Sequence, residues 1–193
     1  MNLEAVLERY PKKAKLANGL VATLRPLAAK DQKAFHQFYL ALPPQDLMFL
    51  KVRATDPAVI KEWCRKIDYY RNLPLLAWNE KEIIGVCTLH QRNGGWKRHI
   101  GRLNVHTHPK YRGIGVARTL LNEIISVARD ASLEYLEAEF FGRQENAIKM
   151  FGLLGFGKLY SLPDYVKDMQ AIKHDYILMG MKLTTEEEYA GMG

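Results

Sequence analysis

The hydrophobic periodicity of the chain changes twice between residues 98 and 141, and this pattern limits the fold more than any other feature of the sequence. Residues 98–107 are typical of a strand, whereas residues 117–128 repeat apolar side chains at the 3.6-residue spacing of an amphipathic helix. A second strand pattern runs from Leu133 to Phe141. A strand, a helix and a strand in this order usually place the two strands side by side and parallel in one sheet. The sequence therefore predicts a sheet with a central parallel pair.

The segments on either side of this unit are typical of antiparallel strands. Two apolar runs, 73–78 and 83–91, enclose a short polar turn, and a glycine-containing turn at 93–95 leads into the central unit. Further strands are predicted at 20–25, as the first strand of the chain, near 156–160 and at 172–183. We therefore predict an α+β domain with a mixed, mostly antiparallel central sheet that is flanked by helices.

Two aspartates mark the predicted starts of helices in the N-terminal half. Asp31 precedes apolar side chains at helical spacing, and Asp56 precedes Pro57, a residue type favoured in the first turn of a helix. Another helical stretch surrounds Met48, and a later helix is expected to end at Gly155 in a left-handed cap. Both aspartates are therefore predicted to cap helices.

The length and composition fit one globular domain. The chain has 193 residues, of which 48% are hydrophobic and 25% charged. We expect an N-terminal arm at 1–18, a single domain at 19–183 and a C-terminal tail at 184–193. The sequence contains no apolar run that could span a membrane and no secretory signal, and Cys64 and Cys87 lie in apolar surroundings. These features predict a cytoplasmic protein without a disulfide framework.

Positive charge is concentrated in one segment. The net charge is +7, and no acidic residue occurs between Ile83 and Asn122. The fixed cations of this segment are Arg92, Lys97, Arg98, Arg102, Lys110, Arg112 and Arg118. Such an excess favours acidic ligands, namely nucleic acid, an anionic membrane or a phosphorylated cofactor. A solvated basic surface without a partner is the alternative, because long charged side chains often only cover a surface.

Residues 111–118 form the most specific motif, a glycine-containing loop between a predicted strand and a predicted helix. The first backbone N–H groups of a helix have no partner within it and carry the positive end of its dipole. Gly113 and Gly115 would let the oxygens of a diphosphate approach these groups, and Arg112 and Arg118 add charge. The loop lacks the pattern of a P-loop, and Arg118 stands where a dinucleotide fingerprint has its third glycine. Both of those site types are therefore disfavoured.

These residues resemble motifs of the GCN5-related N-acetyltransferase (GNAT) superfamily. Residues 112–117 are similar to the family's Gln/Arg-x-x-Gly-x-Gly/Ala motif, and residues 108–113 are similar to the segment that leads into it. Residues 147–156 resemble the family's later Ala-Ile-x-Leu-Tyr-x-x-x-Gly-Phe segment. The resemblance extends from about Leu20 to Leu183 and concerns the fold and the cofactor more than the substrate.

The resemblance implies that acetyl-CoA, or another acyl-CoA, binds as co-substrate where the two parallel strands splay apart. Residues 113–118 would hold its diphosphate, and the backbone of residues 105–107 would pair with its pantetheine arm. The residues expected to bind it are Val105, His106, Thr107, Arg112, Gly113, Ile114, Gly115, Val116, Ala117, Arg118, Gln144 and Phe151. Gln144 stands at the family's asparagine position, and Phe151 stands where many members have a tyrosine.

The same resemblance suggests how acyl transfer would be catalysed. An alkyl ammonium has a pKa of about 10.4 and must lose a proton before it attacks a thioester, so a general base is useful near the carbonyl. Glu137 and Glu139 lie on one side of a predicted strand, because side chains alternate. Glu139 matches the glutamate that serves as base in some members, and Glu137 is the reserve. Since Phe151 has no proton to give, Tyr160 and Tyr165 are the candidates for the general acid.

We therefore expect an N-acyltransferase that moves an acetyl group from acetyl-CoA to a primary amine of a small molecule or a protein, by direct attack in a ternary complex. A non-catalytic acyl-CoA-binding module is the alternative, and nucleic-acid binding through residues 92–118 is less favoured. His99, His106 and His108 do not predict a metal site, because no cysteine or acidic partner lies nearby. No membrane partner is expected, and the acceptor, the acyl chain and homodimer formation stay open.

Overall fold

The strands form one mixed sheet in the part of the chain that the structure describes. The computed structural model describes residues 3–48, 50, 52–168 and 170–183, and the predicted tail at 184–193 lies outside these residues. In chain order the strands are β1 (Lys12–Lys15), β2 (Val21–Pro26), β3 (Asn72–Asn79), β4 (Glu82–His90), β5 (Ile100–Thr107), β6 (Tyr135–Phe141), β7 (Gly157–Lys167) and β8 (Lys173–Lys182). Their spatial order is β1-β2-β3-β4-β5-β6-β8-β7. The central positions of the sheet therefore belong to β4 and β5.

The parallel pair predicted from the periodicity is present. β5 and β6 run parallel, with Ile100 opposite Tyr135 and Leu103 opposite Ala138. The other neighbouring strands of the described sheet are antiparallel. The predicted α+β architecture with a mostly antiparallel sheet is thus confirmed.

Helices cover both faces of the sheet. They are α1 (Leu3–Leu7), α2 (Gln32–Leu40), α3 (Pro44–Leu47), α4 (Pro57–Arg65), α5 (Val116–Asp130) and α6 (Glu145–Leu153), and short 3-10 turns lie at Ala29–Asp31 and Pro109–Tyr111. Alternate residues of β3 belong to different core clusters, and alternate residues of a strand point to opposite faces. Leu75 packs in the cluster with α1, α5 and α6, whereas Leu76 packs in the cluster with α2 and α4. The sheet therefore lies between two helical layers.

The first residues form a helix and an edge strand where the sequence predicts an arm. Leu3 and Val6 of α1 are buried in the same core cluster as α5. β1 pairs antiparallel with β2, so the strand predicted as the first of the chain is the second. The sequence of β1, Lys-Lys-Ala-Lys, has no apolar alternation from which a strand could be predicted. Its charged side chains suit a strand at the edge of a sheet.

The two aspartates predicted to cap helices have different roles. Asp56 caps α4, because its carboxylate accepts a hydrogen bond from the Ala58 N–H at 2.8 Å. Asp31 does not cap α2; its carboxylate accepts two bonds from Arg25, at 2.6 and 2.7 Å, and one from the Ala28 N–H at 2.8 Å. Burial opposes ionisation of Asp31, but these bonds outweigh it and hold its pKa below the usual value. The ion pair ties β2 to the start of α2.

Gly85 lets the start of α5 pack directly on β4. A Cβ added at Gly85 would lie 2.5 Å from Val116 Cγ1 and 2.9 Å from Leu120 Cδ1, closer than packed atoms approach one another. Val116 and Leu120 are both buried, so neither side chain can move aside into solvent. The missing side chain at Gly85 therefore sets the distance between the sheet and the first turns of α5.

We expect Gly85→Ala to lower the free energy of unfolding by about 1–3 kcal/mol, the usual cost of overpacking a core. Gly152→Ala in α6 is the matched control, because a Cβ added there meets no described neighbour within 4 Å. The control should raise stability by about 0.5–1 kcal/mol, since alanine loses less backbone entropy in a helix. Urea unfolding followed by circular dichroism measures both effects. An unchanged midpoint for Gly85→Ala would contradict the close packing of α5 on β4.

The two cysteines are buried and unpaired. Burial raises the pKa of both thiols, Cys64 and Cys87, so each packs as a small apolar side chain, as the sequence predicts. Separately, the described residues contain no helix that is long and apolar enough to cross a membrane.

Candidate functional site

β5 and β6 separate partway along their length. Their parallel pairing covers Ile100–Leu103 and Tyr135–Ala138. Beyond these residues β5 continues beside β4 as far as Thr107, and β6 continues beside β8 as far as Phe141. The two strands therefore leave a gap at the centre of the sheet, where no ladder joins their described residues.

The β5 edge of this gap presents backbone groups at alternate residues. The His108 N–H donates to the Ile84 carbonyl at 3.0 Å, and the backbone groups of successive residues in a strand point in opposite directions. The N–H and C=O of His106 therefore point toward β4, and those of Val105 and Thr107 point into the gap. An extended molecule that contains amides can pair with such an edge as an added strand.

The N-terminus of α5 follows this edge in the chain. Gly113 and Gly115 have φ angles of 79° and 89°, in the left-handed region that favours glycine. No side chain caps α5, and its first helical bond runs from the Thr119 N–H to the Gly115 carbonyl at 2.9 Å. The N–H groups of residues 116–118 consequently have no acceptor within the helix and lie at the positive end of its dipole. A helix N-terminus with free N–H groups is suited to bind an anion.

Neighbouring segments hold the loop that leads into α5. The Ile114 carbonyl accepts a hydrogen bond from the Ala17 N–H at 3.1 Å. The Tyr111 hydroxyl donates to Glu82 at 2.8 Å and accepts from Asn79 Nδ2 at 3.2 Å. These bonds fix the loop within the protein itself, so a ligand has less conformational entropy to remove on binding.

The two arginines of the loop have different surroundings. The Arg112 guanidinium forms an ion pair with Asp46 of α3, which was not among the residues predicted for the site. Arg118, in the first turn of α5, is exposed. The loop is therefore linked through Arg112 to the helical layer that includes α2 and α4.

Both predicted carboxylates lie on the sheet face that α2 and α4 cover. Leu136 and Ala138 pack with α5, so Glu137 and Glu139 point to the opposite face. The Arg102 guanidinium lies 2.9 Å from Glu139 Oε1 and 3.7 Å from Glu137 Oε2. The two carboxylates therefore lie on one face of the sheet, as predicted, and Arg102 forms an ion pair with each of them.

Tyr176 of β8 completes this cluster, although the sequence does not single it out. Its hydroxyl donates to Glu139 Oε1 at 2.8 Å. Burial, together with the hydrogen bond to Glu139, raises the pKa of Tyr176, so the hydroxyl stays protonated. The rings of Tyr160 and Tyr165, the predicted acids, each lie 6.0 Å from the Tyr176 ring and are 45% and 68% exposed. Alternation along the last strand is the signal by which Tyr176 could have been found.

Gln144 and Phe151, both predicted to bind the cofactor, make contacts within the protein. The Gln144 side-chain carbonyl accepts a hydrogen bond from the Phe141 N–H at 2.9 Å and closes the turn between β6 and α6. Phe151 is 1% exposed, and its ring lies 5.0 Å from the Phe140 ring and 4.9 Å from the Phe156 ring. The structure therefore places Phe151 in the core and not at a solvent-facing surface of the gap.

The two histidines near the end of β5 have separate environments. The His106 ring lies 6.3 Å from the Tyr39 ring of α2, and burial lowers the pKa of His106 to about 4. His106 is therefore neutral at physiological pH. His108 Nδ1 accepts a hydrogen bond from the Lys110 N–H at 3.3 Å. Among the described residues, no three His, Cys, Asp or Glu side chains are grouped to hold a metal ion.

A protein-family model described as the Acetyltransferase (GNAT) family matches residues 35–156. The matched region is more than half of the chain, and it includes the gap, the loop before α5 and the carboxylates of β6. A search of curated proteins found no match.

Solved structures share the fold at low sequence identity. The GNAT domain of PAT from S. lividans is 18% identical, with a TM-score of 0.73 over 89% of this chain and 96% of that one. The yncA structure from Salmonella typhimurium, which contains acetyl-CoA, is 19% identical, with a TM-score of 0.73 over 86% and 95%. Ribosomal-protein-S5-alanine acetyltransferase from Vibrio fischeri is 19% identical, with a TM-score of 0.73 over 83% and 92%. At these identities the likeness shows the fold.

Proposed function

Because the chain belongs to the acetyltransferase (GNAT) family, we propose that it transfers the acetyl group of acetyl-CoA to a primary amine while both substrates are bound. One observation carries this proposal: the open edge of β5 and the uncapped N-terminus of α5 adjoin along the chain. A strand edge suits the amides of an extended arm, and a helix N-terminus suits a diphosphate. Acetyl-CoA contains both groups in one molecule.

We assign the donor to the gap and the loop. The N–H groups of residues 116–118, with the side chain of Arg118, would hold the diphosphate. The backbone of Val105 and Thr107 would pair with the pantetheine amides. The space beside Gly113 and Gly115 is open to a ligand. Among the described residues, a Cβ added at Gly113 would meet nothing within 4 Å, and one added at Gly115 would meet only Ala17, at 3.9 Å. Acetyl-CoA supplies an acetyl group that is activated as a thioester.

Glu139 is the proposed general base. It would accept the proton of the amine nitrogen as the new C–N bond forms and the C–S bond breaks. Arg102 and the Tyr176 hydroxyl hold its carboxylate in one orientation. Thiols ionise near a pKa of about 8.5, so the departing thiolate needs little help from an acid. Tyr160 and Tyr165 are the proposed donors of the proton that it finally takes up.

The charges beside the gap favour a cationic acceptor. Glu137 and Glu139 lie on the same side of the sheet, and burial lowers the pKa of His106, so its ring adds no positive charge. An ammonium group would be attracted by the two carboxylates next to the proposed base. Amines of small molecules and of proteins both satisfy this requirement.

We also propose a cytoplasmic location. Cys64 and Cys87 are free thiols in the structure, and disulfides are rare in reducing compartments. The acetyl-CoA donor would be drawn from the same compartment.

Phe151 favours a second candidate function, acyl-CoA binding without turnover. The ring lies in the core at the position where many family members have a tyrosine, so it offers no proton for the thiolate. A protein of this kind would bind acetyl-CoA through the same loop and strand edge and release no thiol.

Thiol release over a panel of amines distinguishes the two functions. The purified protein is incubated with acetyl-CoA and each amine, and free CoA is measured with a thiol reagent. Release that depends on the amine supports the transferase. Acetyl-CoA binding by calorimetry without release from any amine supports the binding module. Mass spectrometry of a cell extract incubated with the protein and acetyl-CoA then identifies the acetylated acceptor.

We expect Asp46→Asn to strengthen acetyl-CoA binding. In the wild type Arg112 is paired with Asp46, and the substitution frees its guanidinium for the diphosphate. Exposed ion pairs contribute about 0–1 kcal/mol, so the gain in affinity should be at most about fivefold. Calorimetry at low ionic strength measures it. Asp56→Asn, which also removes one carboxylate from an exposed helix start, should leave the affinity unchanged, and weaker binding by Asp46→Asn would contradict the assignment of Arg112.

A further inference from the structure

Six of the seven fixed positive charges in the acid-free segment 83–122 divide between the two ends of β5, and the seventh, Arg102, lies within the strand. Those that follow β5 lie around the diphosphate loop and are Lys110, Arg112 and Arg118. Those that precede β5 are Arg92, Lys97 and Arg98. β5 has 8 residues, which at about 3.3 Å per residue separates the two groups by roughly 26 Å. The second group is therefore too distant to serve the same diphosphate.

The second group surrounds an exposed tryptophan in residues 91–99, which we call the tryptophan loop. Trp96 is 83% exposed. The Arg98 N–H donates to the Gly95 carbonyl at 3.2 Å and closes a turn that has Trp96 at its corner. Lys97 Nζ lies 5.8 Å from the centroid of the Trp96 ring, within cation–π distance. Tryptophan is usually well buried, so an indole presented in this way suggests a ligand.

A polar hollow of about 390 Å³ lies beside the tryptophan loop. Its lining includes Gln91, Arg92, Arg98, His99, Ser132 and Glu134. Two arginines and one carboxylate leave the hollow with positive charge, and the amide and hydroxyl groups can exchange hydrogen bonds with a polar ligand. Its volume is that of a small-ligand site.

We propose that the tryptophan loop and this hollow bind single-stranded nucleic acid. A base stacks on the exposed indole of Trp96, and Arg92, Lys97 and Arg98 contact the phosphates. An anionic membrane fits the surface less well, because Trp96 is the only large apolar side chain in residues 91–99 and stable anchoring requires more apolar area. An acidic peptide would pair with the cations and make no use of the indole ring.

The test is fluorescence anisotropy of the full chain with a labelled single-stranded RNA of mixed sequence. Saturating acetyl-CoA is present throughout, so that the donor site and the tryptophan loop are tested separately. We expect binding that weakens with salt. Trp96→Ala should reduce the affinity by about 5-fold to 150-fold, the usual effect of losing one stacked base. Arg92→Ala/Arg98→Ala should make the negative slope of log affinity against log salt shallower by about 1.4, or about 0.7 for each phosphate that is no longer neutralised.

Lys30→Ala/Lys33→Ala is the matched control, since it removes two exposed charges from α2 and the turn before it. It should leave the RNA affinity and the slope unchanged. Trp96→Ala should keep full affinity for acetyl-CoA, which shows that it is folded. The inference is overturned if RNA does not bind at low salt, or if Trp96→Ala binds it as tightly as the wild type. Equal binding of duplex RNA, polyglutamate or phosphatidylserine vesicles also overturns it, because none of these presents an unstacked base.

Discussion

Gly115→Glu should abolish acetyl-CoA binding. The new carboxylate would stand at the N-terminus of α5, where the free N–H groups of residues 116–118 and the helix dipole favour an anion. It would occupy that position and repel the diphosphate. Like charges placed together at a binding site cost several kcal/mol, so the loss of affinity should be at least about 100-fold. Isothermal calorimetry with acetyl-CoA measures the change.

Two further variants separate charge from backbone strain in that experiment. Gly115 has a φ of 89°, so any side chain there is strained. Gly115→Ala introduces the strain without the charge and should lose less affinity than Gly115→Glu. Gly95→Ala introduces a similar strain, at a φ of 82°, in the turn before β5, away from the loop before α5, and should bind acetyl-CoA normally. Tight binding of acetyl-CoA by Gly115→Glu would contradict our placement of the diphosphate at the N-terminus of α5.

Glu139→Gln should lower kcat by about 100-fold to 1,000-fold near neutral pH, the usual effect of removing a general base. The KM for acetyl-CoA should stay the same, because Glu139 lies on the sheet face opposite α5 and not in the loop before α5. The defect should shrink as the pH approaches about 10, where the amine loses its proton without a base. Steady-state thiol release between pH 7 and pH 10 measures all three effects.

Neighbouring substitutions give the controls for Glu139. Glu137→Gln removes the other carboxylate of the pair and should change kcat much less. Tyr176→Phe removes the 2.8 Å hydrogen bond to Glu139 but keeps the carboxylate, so a loss of a few-fold is expected. Equal losses from Glu137→Gln and Glu139→Gln at every pH would indicate that the carboxylates act only through their charge.

The elements of the fold that could be predicted are those whose buried face produces a periodic pattern of apolar side chains. The change from strand to helix to strand between residues 98 and 141 predicts the parallel pair, because each side-chain pattern reports which face is buried. β1 could not be found in this way, since its lysines lie at an edge where burial imposes no alternation. The side-chain cap predicted at Asp31 is absent because Asp31 has helical dihedrals, with φ −84° and ψ −1°, whereas a capping residue is usually extended, and its carboxylate bonds to Ala28 and Arg25 instead. Only the fold brings Arg25 within 2.6 Å of it.

In the candidate site, too, local features could be predicted from the sequence and long-range contacts could not. The loop at 111–118 is local in sequence, so its glycines and the free helix N-terminus could be recognised from spacing alone. The partners of Glu139 are remote in sequence: Arg102 lies on β5 and Tyr176 on β8, and only the strand order brings them together. The ion pair between Asp46 and Arg112 could likewise not be predicted, because no local pattern connects α3 with Arg112.

The hydrogen bond from the Ala17 N–H to the Ile114 carbonyl attaches the segment after β1 to the loop before α5. The matched family region begins at residue 35, well after α1, β1 and this bond. A protein trimmed to that region for expression or engineering would lose β1 and β2 at one end, β7 and β8 at the other, and the support that Ala17 gives the loop. Boundaries drawn from family likeness alone are therefore too narrow for this chain, and its folded unit should be taken to include the strands on both sides of the matched region.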